Sequence, residues 1–205
     1  MKNILILLLL INFGNQLSAQ DTLSYAYQIE QHREHYKQDF IQDERSPLKE
    51  ADLEYLRFFE VDSTYAVEAH FELTPDAKPF EMATYSGMLK PYRKYGVFTF
   101  KIDSTEHQLA VYQSLRLAKL PGFKDYLFLP FRDWTNGETT YGGGRYLDFK
   151  TTDIVDGKMV LDFNKCYNPW CHYSDGYNCP IPPKENHLEV EILVGERNFG
   201  KEKKH

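Results

Sequence analysis

The sequence predicts a mainly β, α+β fold: an antiparallel β-sandwich or partly closed barrel preceded by one or two helices. Three observations predict it. Apolar residues recur at helical spacing only up to about residue 57, alternation with a period of two takes over afterwards, and short turn signals separate the alternating runs with no long helix between them. The 15 Tyr and 14 Phe suit the same reading, because aromatic side chains pack well on half-buried pleated strands.

The chain starts with Lys2, an unbroken apolar run from Ile4 to Ile11 and the small-residue exit Leu17-Ser18-Ala19. That run is far shorter than the roughly 20 apolar residues of a membrane span. Residues 1–20 are therefore expected to be a signal peptide cleaved near Ala19 or Gln20, leaving an exported chain, periplasmic or extracellular, with no membrane span. No cysteine precedes Cys166, which excludes a lipid-modified cysteine at the cleavage site. Loss of Lys2 makes the formal net charge of -6 one unit more negative, and basic side chains cluster only at Lys201, Lys203 and Lys204. That excludes the charge footprint of a nucleic-acid binder. Residues 21–205 suffice for one domain with a sizeable core: a helical lead-in over 21–57 and a β-rich body over 58–199.

In the lead-in, Asp21 or Thr22 caps a helix whose inner residues are Leu23, Ala26, Tyr27, Ile29, Tyr36 and Phe40, ending near Asp43. A shorter helix is expected from Ser46-Pro47, with Ser as cap, Pro in the first turn, and Leu53 and Leu56 inward. His32 and His35 read as members of a solvated face. From Tyr65 the period is two: Tyr65, Val67, Ala69, Phe71 and Leu73 point one way, and Ala66, Glu68, His70 and Glu72 the other. The pattern repeats at Val97 to Ile102, Leu109 to Tyr112, Arg145 to Phe149, Met159 to Phe163 and, most cleanly, Leu188 to Val194. Asp103 to Glu106, Asn136-Gly137 and Asp156-Gly157 are turns, and the two glycine pairs predict tight type I′ hairpins.

Gly142-Gly143-Gly144 lacks the Lys-Ser/Thr and following helix of a phosphate loop, so it predicts backbone packed too closely for a Cβ in a bend before a strand. No nucleotide or other cofactor motif is present. Arg145 opens that strand on the face of Leu147 and Phe149, where an unpaired guanidinium is costly. Either Asp133, Asp148 or Asp162 pairs with it, or its planar fork faces a ligand carboxylate or phosphate.

The strings Leu127 to Gly137 (LFLPFRDWTNG), Thr140 to Tyr146 (TYGGGRY), Leu161-Asp162-Phe163-Asn164, Tyr167-Asn168-Pro169, Cys179 to Asn186 (CPIPPKEN) and Gly195-Glu196 closely resemble the uncharacterised DUF1684 family. Ser46-Pro47-Leu48, Phe58-Phe59 and Gly87 to Phe100 resemble its compact, secreted branch common in Bacteroidetes. The resemblance spans most of the mature chain and implies no reaction. This chain departs from the family at Cys166, where a small residue is usual, so Cys166 is the cysteine with least claim to a role.

An exported chain with three cysteines can form one pair, and Cys171 with Cys179 is the natural one. Family members without export signals would keep both cysteines for another reason, so buried thiols, a metal held with His172 and His187, or a nucleophile stay open; the spacing matches no standard zinc pattern. Asp133, Asp162 and Glu196 are the candidate acid–base residues of a hydrolase or lyase. Tyr141, Arg145, Asn164, Tyr167 and Asn168 offer a fork, aromatic faces and amides for a small polar or anionic ligand. Binding in a pocket built from residues 131–186 is the first expectation, catalysis the second, and a structural or interaction module with an internal polar network the third.

Overall fold

A computed structural model of the chain describes residues 24–203. The expected signal peptide, its cleavage site and the Asp21 or Thr22 cap fall on positions outside the described residues. Helix α1 occupies 24–42. Its buried stripe is Ile29, Arg33 and Phe40, with Tyr36 half-buried between them, the i, i+4, i+7, i+11 spacing of one helix face. Tyr27, expected inside, is 66% exposed. Arg33 earns its place in the stripe by lying over the Phe58 ring at 4.7 Å and donating to the Phe59 carbonyl at 2.8 Å. The second helix is a 3₁₀ segment, Glu50–Tyr55, and not a helix from Ser46. Ser46 instead spends its hydroxyl on Leu48, accepting from its N–H and donating to its carbonyl, a local turn that competes with helix initiation.

Seven strands follow: β1 Ala66–Leu73, β2 Phe80–Ala83, β3 Leu89–Ile102, β4 Thr105–Ser114, β5 Tyr126–Phe131, β6 Arg145–Lys150 and β7 Lys158–Asp162. They form one antiparallel sheet in the order β6-β5-β4-β3-β1-β7, with β2 paired to β3. The sheet curls into a half-barrel, so the partly closed barrel holds and the two-sheet sandwich does not. A bulge between Lys94 and Gly96 in β3 adds twist where the sheet turns. One apolar cluster reaches from Leu147 on one edge strand through Phe98, Val111 and Leu129 to Leu161 on the other, which the curl alone permits. The opposite face carries Met82, Tyr92, Ala110, Tyr112, Phe128 and Tyr146, and a third cluster of Phe40, Leu48, Leu56 and Tyr173 seats α1.

The turns divide. Asp103 and Ser104, at φ 48° and 66°, and Asp156-Gly157, at φ 50° and 70°, make two-residue hairpin turns. Asn136-Gly137 does not: it sits inside the long 132–144 connection from β5 to β6, where Asn136 Oδ1 accepts from the Asp133 N–H and Nδ2 donates to Thr140 Oγ1. In the glycine triplet, a Cβ on Gly143 would stand 2.2 Å from the Tyr141 ring and one on Gly144, at φ 90°, 2.5 Å from the Phe131 carbonyl oxygen. The close-packing expectation holds for those two, while Gly142 has ordinary room.

Residues 188–194 alternate in burial as expected, with Leu188, Ile192 and Val194 inward and Glu189, Glu191 and Leu193 outward, yet they form no strand. The ladder expected of this last strand is replaced by side chains. Leu188 N–H donates to the Arg132 carbonyl and Trp134 N–H to Val190, but beyond that point Ile192 N–H donates to Asp133 Oδ2 at 2.8 Å, and Arg145 donates to the Ile192 and Val194 carbonyls at 2.8 and 2.6 Å. An ion pair thus satisfies the backbone groups that a neighbouring strand would otherwise take.

Candidate functional site

The polar residues singled out from the sequence separate into three networks and a cleft. In the first, Arg145 is fully buried and pairs at 3.2 Å with Asp133, whose side chain is equally buried and also accepts from Thr135 Oγ1 at 2.8 Å. Arg145 therefore has a carboxylate, three carbonyls and the Thr135 hydroxyl as partners and no opening toward a ligand. Asp148, another proposed partner, is excluded by strand parity: three residues on, it points to the opposite face of β6.

The second network surrounds Glu196, which has no exposed surface. Its carboxyl accepts from Tyr36 at 2.9 Å, Tyr173 at 2.5 Å and the Asn168 N–H at 2.8 Å, joining α1 to the C-terminal segment. Burial pushes Glu196 up to about 7, against the hydrogen bonds that pull it down. Gly195 makes the approach possible: its φ is 76°, and a Cβ there would lie 2.3 Å from Cys166 Sγ. Cys166 is a buried free thiol pushed up to about 11 by burial, so it is an inert packing group. Asn168 donates its amide to the Arg197 carbonyl at 2.8 Å.

The third network holds the entrance to β1. Asn164 accepts from the Asp62 N–H and donates to the Asp62 carbonyl and to Tyr25, while Asp162 accepts from Tyr25 at 2.8 Å and pairs with Lys165 at 3.4 Å. Tyr141 stands apart from all three, its ring 4.6 Å from His172 and 6.1 Å from Tyr85. His172 accepts from the Phe199 N–H and is held down at about 4 by burial, so it serves as a neutral acceptor.

Cys171 and Cys179 form a disulfide, with Cα atoms 6.1 Å apart. Among the described residues no three His, Cys, Asp or Glu side chains are placed to share a metal ion. The bridge closes a short loop, so breaking it is expected to lower stability by about 2.5 kcal/mol on chain entropy. Denaturation of the reduced and alkylated chain measures this, and an unchanged midpoint refutes it.

Open space lies elsewhere, along the seam where the two edge strands β6 and β7 face each other beneath α1. The cleft there has a volume of about 1170 Å³ and is lined by Leu147, Asp148 and Phe149 from β6, Met159 and Asp162 from the β7 side, and Tyr36 from α1. At its end, a Tyr146–Tyr167 backbone bridge draws the seam together. Past Tyr167 and Trp170 it continues into an aromatic hollow of about 310 Å³ against Tyr92, Tyr126 and Phe128. Asp148 lines the larger cleft, and its two hydroxyl partners, Tyr126 and Tyr167, line the hollow. Tyr126 donates to its Oδ1 at 2.7 Å and Tyr167 to its Oδ2 at 2.6 Å. The carboxyl is reachable by solvent yet walled in by the cleft, and this burial raises it above the usual carboxylate range despite both tyrosine bonds. Acids outnumber bases on the walls: among the described residues Asp39, Glu44, Asp148 and Asp153 have no ion-pair partner other than His35 near Asp39, whereas Arg45 and Lys165 are engaged by Asp43 and Asp162.

Tyr167 and Asp162 are the two sequence candidates that reach this cleft; Asp133, Arg145, Asn164, Asn168 and Glu196 do not. Asp148 and Tyr126 were missed as site residues. The available signal was the parity of β6, which turns Asp148 away from the core that Arg145, Leu147 and Phe149 face.

A family model described as a protein of unknown function, DUF1684, matches residues 51–197. The chain belongs to the DUF1684 family. The solution NMR structure of an uncharacterized protein from Haloarcula marismortui is similar to it, at 30% identity and a TM-score of 0.66, covering 87% of this chain and 96% of that one. No curated protein matches. The DUF1684 match takes in Asp148, Tyr126, Tyr167 and all of the sheet, but stops short of α1, which supplies Tyr36 and one wall of the cleft.

Proposed function

We propose that this DUF1684 protein binds a small polar ligand in the seam cleft, with Asp148 as the central acceptor and Tyr167 and Trp170 as aromatic walls. The observation that carries the reading is Asp148: a solvent-reachable carboxylate on the cleft wall, held in place by two tyrosine hydroxyls that also line the neighbouring hollow. Each carboxylate oxygen has a second lone pair left for a ligand donor. The fixed geometry means little ordering is needed when the ligand arrives. The surplus of acids on the walls selects a neutral or cationic ligand bearing O–H or N–H donors and disfavours the anion that an open Arg145 would have received. Export remains part of the proposal, resting on the leader at residues 1–20.

A catalytic role through Asp133 or Glu196 finds no support, since a general acid or base must reach its substrate and neither side chain touches solvent. The three buried networks favour the structural reading for those residues, alongside binding in the cleft.

Thermal-shift and calorimetric titration against sugars, polyols, organic amines and dicarboxylates tests the proposal. Neutral or cationic members are expected to raise the melting temperature and dicarboxylates to leave it unchanged. Asp148→Asn keeps the shape and is expected to weaken binding about tenfold to a hundredfold, the worth of a hydrogen bond to a charged group. Unchanged affinity in that variant, or no response from any neutral or cationic compound, overturns it.

A further inference from the structure

We propose that the connection between β4 and β5, residues 115–125, docks the protein onto an anionic lipid surface. This goes beyond the cleft and stands on separate residues. The tip of the connection is Leu120-Pro121-Gly122-Phe123, with Leu120 49% and Phe123 43% exposed. Arg116, Lys119 and Lys124 flank it, all exposed, and among the described residues none of the three is in an ion pair. The one acid in the segment, Asp125, is only partly exposed at its far end. Lys90 lies close enough to feel the charge of Arg116. Apolar residues at a tip with cations behind them match the depth profile of a membrane interface: acyl carbon inside, phosphate outside.

A second exposed pair lies at the same end of the sheet. Leu115 N–H donates to the Pro91 carbonyl, which ties the connection to the start of β3, and Met88 and Leu89 just before it are 50% and 57% exposed.

The connection is built to hold its shape. Lys119 N–H donates to the Arg116 carbonyl, Leu120 to Leu117, Phe123 to Leu120 and Tyr126 to Phe123, a chain of consecutive turns. The Phe123 ring meets Tyr126 edge-on at 6.1 Å. Ordering of the backbone therefore adds little cost on contact. A few apolar side chains on a convex tip fall well short of the ~800 Å² per partner of a stable protein interface, whereas a lipid surface deforms around such a tip. The net charge of -6 does not prevent approach, because charges farther than about 10 Å are screened at moderate salt and the surface meets the local cations first.

Co-sedimentation of the mature chain, residues 21–205, with vesicles of phosphatidylglycerol and phosphatidylcholine, and with phosphatidylcholine alone, is the test. Binding is expected to the mixed vesicles and to fall as salt is raised. The exposed-charge variant Lys119→Gln/Lys124→Gln is expected to bind about twenty-five-fold less, at about fivefold per cation. Leu120→Ser/Phe123→Ser is expected to lose at least about tenfold. Unchanged melting curves establish that both variants fold. No binding to mixed vesicles, equal binding to phosphatidylcholine alone, or wild-type binding by either variant overturns the proposal.

Discussion

Replacing Arg145 by alanine is expected to destabilise the protein by about 3–5 kcal/mol, the cost of leaving one member of a buried ion pair alone. Asp133 would remain wholly enclosed with its charge uncompensated, and the Ile192 and Val194 carbonyls would lose their donor. The second loss sets this pair apart from an isolated one. Exchanging both members for apolar residues of similar volume is often neutral or favourable elsewhere. Here the double replacement Asp133→Leu/Arg145→Met would still strip the Ile192 N–H and both carbonyls of partners, so it is not expected to recover the wild-type midpoint. Arg145→Lys keeps the charge but not the fork, and one ammonium cannot occupy the three positions the guanidinium fills. Denaturant titration of the three variants decides the matter. An Arg145→Ala midpoint within experimental error of wild type sinks the assignment.

Glu196→Gln is expected to change how stability depends on pH. The folded carboxyl, at about 7, lies above its usual value of 4.5, so the folded state holds a proton that the unfolded state releases between those values. Its stabilisation is complete below about pH 4.5 and is lost as pH rises through 7, a change of about 3 kcal/mol. His172 works in the opposite sense: lowered from 6.5 to about 4, it withholds stability in acid and restores it as pH rises to 6.5. The two nearly cancel from about pH 4.5 to 6.5 in the wild-type chain, leaving the Glu196 loss visible above that. In Glu196→Gln the rise due to His172 should emerge uncovered, and the decline through pH 7 should vanish. Asp148 and His32 titrate in both proteins, so the difference between the two pH profiles isolates Glu196. Parallel profiles from pH 5 to 8 would refute a buried, proton-holding carboxyl.

Strands with one wet face could be read in advance. β1 and β7 alternate because one side meets solvent, and their inner faces are as expected from Val67 and Leu161, although Leu73 at the end of β1 is exposed. β6 buries Tyr146 on its outer side as well as Leu147 on its inner one. β5 escaped because Leu127 to Phe131 are all buried, so Tyr126–Phe131 has no period to detect. Leu188 to Val194 shows the limit of alternation: it reports which side of an extended segment is buried, not what takes its hydrogen bonds. Here the takers are Asp133 and Arg145, far away in sequence. Asn136-Gly137 similarly permits a tight turn without requiring one, and the Asn136 side chain builds a longer loop instead. The site was harder, because a list of Asp, Asn, Arg and Tyr gives chemistry without depth. Glu196 and Asp148 are both carboxyls with two tyrosine donors, yet one is sealed and the other opens on a cleft. Only the fold separates them.

The seam also bears on self-association. An open sheet has two borders whose unpaired backbone invites strands from other molecules, the usual start of aggregation. In this half-barrel the end strands β6 and β7 are turned toward one another with α1 laid over the gap, so neither is offered to a neighbour, and the short side strand β2 is met by residues 179–181, with the Ile181 N–H donating to the Ala83 carbonyl. The helix is thus a guard as well as a wall: the hollow proposed to take a ligand is the same gap that keeps the sheet's sticky margins out of reach.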